Sequence, residues 1–268
     1  AQADLRVEAE HALAFADDFA PVAGQVVIPR VVPGLVTEGV LVESWEPGRS
    51  MSHYTRRRTP INTQLVSLGL DVYLAMLLKN NLVHTDLHPG NMLVRMVDGH
   101  GRLVLDDGLG HAAPGGPEGA LFPQLVLIDF GLAEELTPRV RHHFISFIHC
   151  CASGDAERAT HHLLHWSTRQ KCPDRAALAR AVKELFVEHC NVQSEQGVDL
   201  DLIMKSVLRI ACQCELTIDS SFAALAITVC VLVGFATSLD PQVNLINAAA
   251  PCLLAFSLTG RVVGRLYS

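Results

Sequence analysis

Aromatic residues make up only 6% of this 268-residue chain, while hydrophobic residues reach 49%. A core of that composition has to be built from Leu, Val, Ala and Ile rather than from stacked rings. No CxxC pair occurs among the eight cysteines, so neither a disulfide framework nor zinc-finger spacing is present. Most of the cysteines fall in helical patterns, and they read as reduced, buried thiols of a reducing compartment. Basic residues are also scarce: 21 Lys and Arg stand against 28 Asp and Glu, a net charge of −7. The basic footprint of a nucleic-acid binder is missing, and nucleic acid is excluded as a partner. The first residues show neither a charged-then-apolar leader nor an Arg-rich, acid-poor transit segment. The chain starts inside a helical pattern, and a targeting sequence upstream of residue 1 is expected.

Against these absences stands one dense motif. HTDLHPGN runs from His84 to Asn91, and LVLIDFG ends at Gly131. An Asp, an Asn five residues on and a second Asp after an apolar run form the arrangement of kinase-type phosphoryl transfer. Asp86 can orient or deprotonate a hydroxyl. Asn91 and Asp129 are hard oxygen ligands suited to Mg²⁺ against the phosphates of ATP. On the signature HRDLxxxN, His84, Asp86, Leu87 and Asn91 stand in register. His84 reads equally as a residue that holds the backbone of the DFG turn and as a chemical participant. His88 stands where Ser/Thr kinases carry a lysine, within reach of a γ-phosphate but as a mostly neutral imidazole. Asp129 closes an apolar strand, where a lone carboxylate is costly and a cation is its natural partner.

The rest of the pattern supplies a scaffold. Residues 5–19 read as an amphipathic helix, the VVIPRVV and VLVESW stretches as strands, and 62–80 as a long helix. A short strand over MLVRMV follows the motif. The segment 98–123, rich in Gly, Asp and Pro, is expected to form no packed element. QLVLIDF reads as a buried strand. Helices are expected near 139–152, 156–168, 174–191, 199–213, 220–238 and 242–258. The uncharged run from Ser220 to Leu239 is long enough to span a bilayer. Its Ser, Thr and Cys interruptions favour a buried helix instead. Histidines recur at His142, His143, His149, His161, His162 and His165. The i,i+4 pair His161 and His165 could bind a metal, but helix packing is the preferred reading, since no HExxH accompanies it. Arg56, Arg57 and Arg58 read as a solvated basic face.

HTDLHPGN with LIDFG resembles the UbiB (aarF-domain) family of atypical kinases. The same loop is similar to that of the aminoglycoside and choline phosphotransferases. DLRVEAEHALAF resembles the UbiB helix C segment, with Asp4 and Glu8 in the matching places. The passage VVIPRVV to VLVESWEPG resembles its approach to the hinge, and the stretch after DFG its helix pair. Within the family, the insert and the closing segment look most like the animal mitochondrial aarF-domain-containing kinase 2 group. The resemblance implies an α+β, protein-kinase-like fold, with an N-lobe remnant over 1–48 (helix C, strands and hinge) and a mostly helical C-lobe over 49–268. It implies ATP and Mg²⁺ as cofactors and adenine on the backbone of Glu43, Ser44 and Trp45. Glu8 is implied at the nucleotide site and Asn91 and Asp129 at the metal. The implied activity is ATP hydrolysis or small-molecule phosphorylation supporting coenzyme Q biosynthesis and mitochondrial lipid metabolism. The implied setting is mitochondrial and membrane-associated, with membrane lipid or quinone-pathway proteins as partners. No APE-type segment follows DFG, which fits a substrate other than protein. A pseudokinase scaffold is one rival. An aminoglycoside- or choline-type phosphotransferase is the other, disfavoured because few carboxylates lie in 220–268.

The pattern departs from a full kinase at one end. The four lysines are Lys79, Lys171, Lys183 and Lys205, and none lies far enough before the loop to anchor the α- and β-phosphates. Glu8 therefore lacks its lysine. The family's K-x-G-Q helix and Ala-rich nucleotide loop are absent, Gly24-Gln25 falls in the wrong order, and Gln2 stands where Glu is expected. Either the chain is a fragment lacking most of its N-lobe, the favoured reading, or that lobe has been lost. The 268-residue chain alone is predicted to bind MgATP weakly or not at all. Tight MgATP binding in isothermal calorimetry would overturn this.

Overall fold

A computed structural model describes residues 4–55, 57, 59–104, 121–190, 198–243, and 245, 248, 249, 252 and 253. The chain is α+β. Its first helix, α1 (Leu5–Phe19), begins where Asp4 accepts a hydrogen bond from the Arg6 amide at 3.0 Å, an N-cap of the usual kind. Its apolar stripe of Ala9, Ala12, Phe15 and Phe19 is buried. Short strands follow: β1 (Val26–Val27), β2 (Val31–Val36), β3 (Leu41–Glu43) and β4 (Arg49–Ser50). One turn of helix, α2 (Ser52–Thr55), leads to α3 (Asn62–Leu74).

The sequence pattern carries α3 through residue 80, but Ala75–Asn80 widens into a π-helical turn. Such a turn leaves carbonyls without their usual α-helical partners. Arg141 takes up two of them, donating from Nε to the Leu77 carbonyl at 3.1 Å and from its terminal nitrogen to that of Leu78. Asn81, left-handed at φ 61°, ends the turn. Its side chain donates to the Leu136 carbonyl at 2.8 Å.

The next strands form the platform of the motif. They are β5 (Leu82–His84), β6 (Met92–Asp98), β7 (Leu103–Val104), β8 (Leu121–Leu127) and β9 (Ala133–Glu135). One sheet runs β1-β8-β6-β4, with β7 also on β6. β1 joins β8 in parallel, Val26 opposite Leu125, and β6 pairs β8 antiparallel from Met92–Leu127 to Asp98–Leu121. Through β1, the first 48 residues share a sheet with the motif strands. β2 and β3 form a separate antiparallel pair, as do β5 and β9, with His84 opposite Ala133.

The segment 98–123 departs from expectation at its edges. Asp98 ends β6, Leu103–Val104 pairs with Met96 and Val97, and Leu121–Pro123 lies in β8. Its apolar and β-branched flanks extend existing strands despite the Gly- and Pro-rich centre. Residues 105–120 lie outside the described residues, as do parts of the basic run 56–58 and most of the expected helix 242–258.

Among the described residues five further full helices follow: α4 (Pro138–Ser153), α5 (Ala156–Leu164), α6 (Arg175–His189), α7 (Leu200–Gln213) and α8 (Ser220–Leu239). Thr137, Asp155, Asp174 and Asp199 cap the first four through their side chains. Gly154, at φ 71°, makes the left-handed turn from α4 into α5, a conformation glycine adopts without Cβ penalty. α5 stops at Leu164, short of the expected 168, and Trp166 turns into the core. Its ring is fully buried, stacked on Phe222 at 5.3 Å and edge-on to Phe147 at 5.1 Å. Arg139 closes this junction, donating to Asp219 and to the His165 carbonyl, both at 2.6 Å.

α8 is long and apolar enough to cross a membrane by length and composition. In the fold it packs against α3 and α7, burying Phe222, Leu225, Val229, Val233 and Ala236. Truncating the ring at the centre of this packing is expected to be severe. Trp166→Ala should lower the unfolding free energy by about 3–5 kcal/mol, read from urea denaturation, with Trp45→Ala, at a position 90% exposed, as the near-neutral control.

Candidate functional site

The motif is held where four segments meet. β5 delivers His84, the loop Thr85–Asn91 follows, β6 leaves it, and the end of β8 brings in Asp129, Phe130 and Gly131. Backbone bonds lock these pieces together. The Thr85 amide donates to the Leu132 carbonyl at 2.9 Å, and the Ile128 amide to the Asn91 carbonyl at 3.0 Å. The Asn91 carboxamide nitrogen donates to the Asp86 carbonyl at 3.1 Å. That bond fixes the loop with its own side chain and turns the carboxamide oxygen the other way.

Asp86 is half-exposed, its side chain retaining 46% of its accessible surface. His88 lies beside it, Nε2 to Asp86 Oδ2 at 3.9 Å. The other ring nitrogen accepts from the Gly90 amide at 2.9 Å, which folds the imidazole back over its own loop. A Cβ on Gly90 would come within 2.6 Å of the His88 ring, so position 90 has to be glycine for His88 to lie there.

His84 is different in kind. Its side chain is fully buried, tilted against Phe15 at 6.2 Å and Phe130 at 5.7 Å. Nδ1 accepts from the Asp86 amide at 3.2 Å. Burial holds its pKa below the ordinary histidine value, while the nearby Ile128 backbone and the Asp129 and Asp86 charges pull the other way. A neutral ring is the form that lets Nδ1 accept.

Asp129 adopts φ 62°, a left-handed conformation uncommon for a residue with a side chain. Its Oδ1 accepts from the Gly131 amide at 3.3 Å. Glu8 reaches the same turn from α1. Its Oε1 accepts from the Phe130 amide at 3.3 Å, and His11, one turn on, shares a hydrogen bond with the Phe130 carbonyl at 2.9 Å. Helix α1 thus grips both polar groups of the Phe130 backbone. Lys79 sits by Asp18, at the far end of the same helix. Glu8 carries a raised pKa, first from burial and then from the charge of Asp129. Glu43 is raised likewise, by burial and then by Glu8, Asp129 and Glu46. Three carboxyls from α1, β3 and the DFG turn therefore press on one another, an arrangement that a hard cation relieves. Asp129 is itself exposed rather than buried at the strand end; with Asn91 it offers side-chain oxygens of the kind Mg²⁺ takes.

The hinge residues divide. The Ser44 amide donates to the Arg30 carbonyl at 2.9 Å, and its hydroxyl accepts from the Arg30 amide and donates to Glu46, both at 2.8 Å. Its polar groups are thus engaged in joining the β3 end to the stretch before β2. Trp45 is exposed. Sequence reasoning missed the Phe130 grip by His11 and the part of Thr228 on α8, whose hydroxyl donates to the Thr85 carbonyl at 2.8 Å. Nothing in a helical repeat announces a contact 143 residues away.

A short strand–loop–strand motif carrying Asp and Asn, joined to a DFG turn under a helix-borne glutamate, defines a kinase-like domain. Residues 1–163 match the ABC1 atypical kinase-like domain, and the chain belongs to that family. It is similar to a probable serine/threonine-protein kinase of Dictyostelium discoideum, 27% identical over 94% of this chain and 43% of the relative. A mitochondrial ABC1 family protein of Saccharomyces cerevisiae is 25% identical over 95% of this chain and 43% of its own length. The AarF domain-containing protein kinase 1 of Xenopus laevis reaches 32% identity over 49% of this chain and 22% of the relative. The chain spans about two fifths of the length of the first two relatives.

The crowded carboxyls have a consequence for pH. Because the Glu8 pKa is raised in the fold, the folded chain binds this proton more readily than the unfolded one. Lowering the pH from 7 towards the ordinary carboxyl range therefore stabilises the fold at this site, and that gain is lost as pH rises through the folded pKa. Glu8→Gln keeps the acceptor for Phe130 and removes the charge. In metal-free buffer at pH 7 it should raise the melting temperature by about 1–3 °C, with a smaller difference at pH 5. A lowered melting temperature at both would show that the Glu8 charge is already compensated.

Proposed function

We propose that this domain binds MgATP as part of a longer protein and uses it for hydrolysis or for phosphorylation of a small molecule. The observation that carries this is the joining of the loop that holds Asp86 and Asn91 to the turn that holds Asp129, through the Asn91 bonds to Asp86 and Ile128. In this reading Asn91 and Asp129 hold Mg²⁺ by their side-chain oxygens. Bound MgATP supplies the γ-phosphoryl group and the charge neutralisation its transfer requires. The half-exposed Asp86 accepts the proton of the attacking hydroxyl or water. His88, beside Asp86, lies within reach of phosphate. His84, buried beneath the loop, positions the loop amide and touches no substrate. Glu43 and Trp45 provide backbone for adenine, and Ser44 braces them from behind. Glu8 holds the DFG turn and meets a phosphate-anchoring lysine only if the longer protein brings one.

The yeast relative is named as mitochondrial, which supports a mitochondrial site of action here. The UbiB resemblance supports coenzyme Q biosynthesis and membrane-lipid metabolism as the process served, with membrane lipid or quinone-pathway proteins as partners. The apolar α8 fits work at a membrane surface. A pseudokinase scaffold is the second reading, favoured by one observation: Glu8 is spent on the Phe130 amide rather than placed against a lysine.

Two measurements separate these readings. Mg²⁺ at millimolar concentration should raise the melting temperature of the chain, and Asp129→Asn should abolish that rise while the metal-free variant melts as high as wild type or higher. In the full-length protein, Asp129→Asn should lower ATP turnover by about a hundred-fold or more. Equal turnover in wild type and variant would sink the metal-site mechanism and leave the scaffold.

A further inference from the structure

The hairpin of α4 and α5 holds a second cluster of side chains with no part in the kinase-like site. His142 and His143 project from α4 and His162 from α5. One ring nitrogen of each lies within 4.8 Å of the others. The closest approach, His143 Nδ1 to His162 Nδ1, is 3.0 Å. Three imidazole nitrogens bound tetrahedrally at about 2.0–2.1 Å from one ion would stand roughly 3.4 Å apart. The His143–His162 spacing is already close to that value, and the wider spacings, up to 4.8 Å, have to shorten for all three to bind one ion.

We propose that His142, His143 and His162 form a binding site for one divalent transition-metal ion of the zinc or cobalt type. Three imidazoles without a carboxylate select such ions over Mg²⁺ or Ca²⁺, which separates this site chemically from the oxygen ligands at Asp129.

The surroundings prepare the trio. His162 is buried and His143 half-buried, while His142 is exposed at the mouth of a groove lined by Arg141, Ser146, His149 and Arg158. Of the trio His142 lines this groove, so an ion would enter on its side. His143 stacks on His165 at 4.5 Å with the planes 11° apart. His165 is itself tied to its helix through Nδ1 and the His161 carbonyl at 2.8 Å. The i,i+4 pair His161 and His165 thus flanks the trio and steadies it. Burial, with the neighbouring histidines, pushes the pKa of His143 and of His162 down to about 4. At neutral pH both are unprotonated, the form a metal requires. Arg158 opposes a cation; its Nε stands 3.9 Å from Asp155, which offsets part of that charge. The ordinary alternative is a hydrogen bond between two neutral rings, His143 and His162 sharing one proton.

The test is a titration of the metal-stripped chain with Co²⁺, followed by displacement with Zn²⁺. One equivalent of Co²⁺ should produce the visible d–d bands of a low-coordinate nitrogen site, and Zn²⁺ should erase them. His142→Ala, at an exposed position, and the volume-conserving His143→Gln should each weaken Co²⁺ binding at least tenfold while the metal-free proteins keep their melting temperature. His149→Ala and Asp129→Asn should leave the bands unchanged. Absence of the bands in wild type, or full binding by both His142→Ala and His143→Gln, would overturn the site and leave the shared-proton pair. Loss of binding in Asp129→Asn would transfer the ion to the kinase-like site.

Discussion

The grip of α1 on the Phe130 backbone is the interaction on which the rest of the site depends. Asp129 must sit in a left-handed conformation to leave the strand β8 and present its carboxylate, and such a conformation persists only where neighbours over-determine it. Here they do. Glu8 takes the Phe130 amide, His11 meets the Phe130 carbonyl, Asn91 takes the Ile128 amide, and the Phe130 ring is buried against Phe15 and His84. Removing α1 would release both sides of the turn at once. The helix that carries Glu8 and His11 thus holds the DFG turn from both sides.

That grip explains why the carboxyls are crowded. A glutamate placed to cap the Phe130 amide necessarily lies close to Asp129, and Glu43 arrives from β3 because β2 and β3 pack on α1. The fold accepts mutual repulsion among a half-buried Glu8 and two exposed acids, Glu43 and Asp129, a crowding that a cation would relieve.

Much of this was legible in the sequence, for identifiable reasons. α1, α3 and the helices after Thr137 announce themselves by apolar period and by capping Asp and Thr residues. β6 and β8 do so by β-branched runs. Asp86, Asn91 and Asp129 stand out because their chemistry needs fixed spacing along the chain. What stayed hidden depends on partners distant in sequence. Two-residue β1 is a strand only because β8 lies beside it, nearly a hundred residues later. β9 exists as the partner of β5. The π-helical turn after Leu74 becomes intelligible once Arg141 is seen to satisfy it from α4. Ser44 looked like an open hinge residue because its engagement with Arg30 and Glu46 is set by how two strands meet. The histidine pattern was visible, but the i,i+4 pair it pointed to flanks the trio that converges, since convergence is set by the turn at Gly154.

The catalytic loop is also tied to the apolar end of the molecule. Thr228 sits in the middle of α8, where a hydroxyl would be costly unless satisfied, and its single proton lies between two carbonyl acceptors, Ala224 of its own helix and Thr85 next to Asp86. At its N-terminal end Ser221 bonds Glu134 on β9, the strand that pairs with His84's own. Helix α8 is therefore bonded to the loop at Thr85 and to the neighbouring strand β9 at Glu134. Ile227 and Val231, neighbours of Thr228 along and around the helix, are exposed, so this one helix borders both solvent and the loop that carries Asp86.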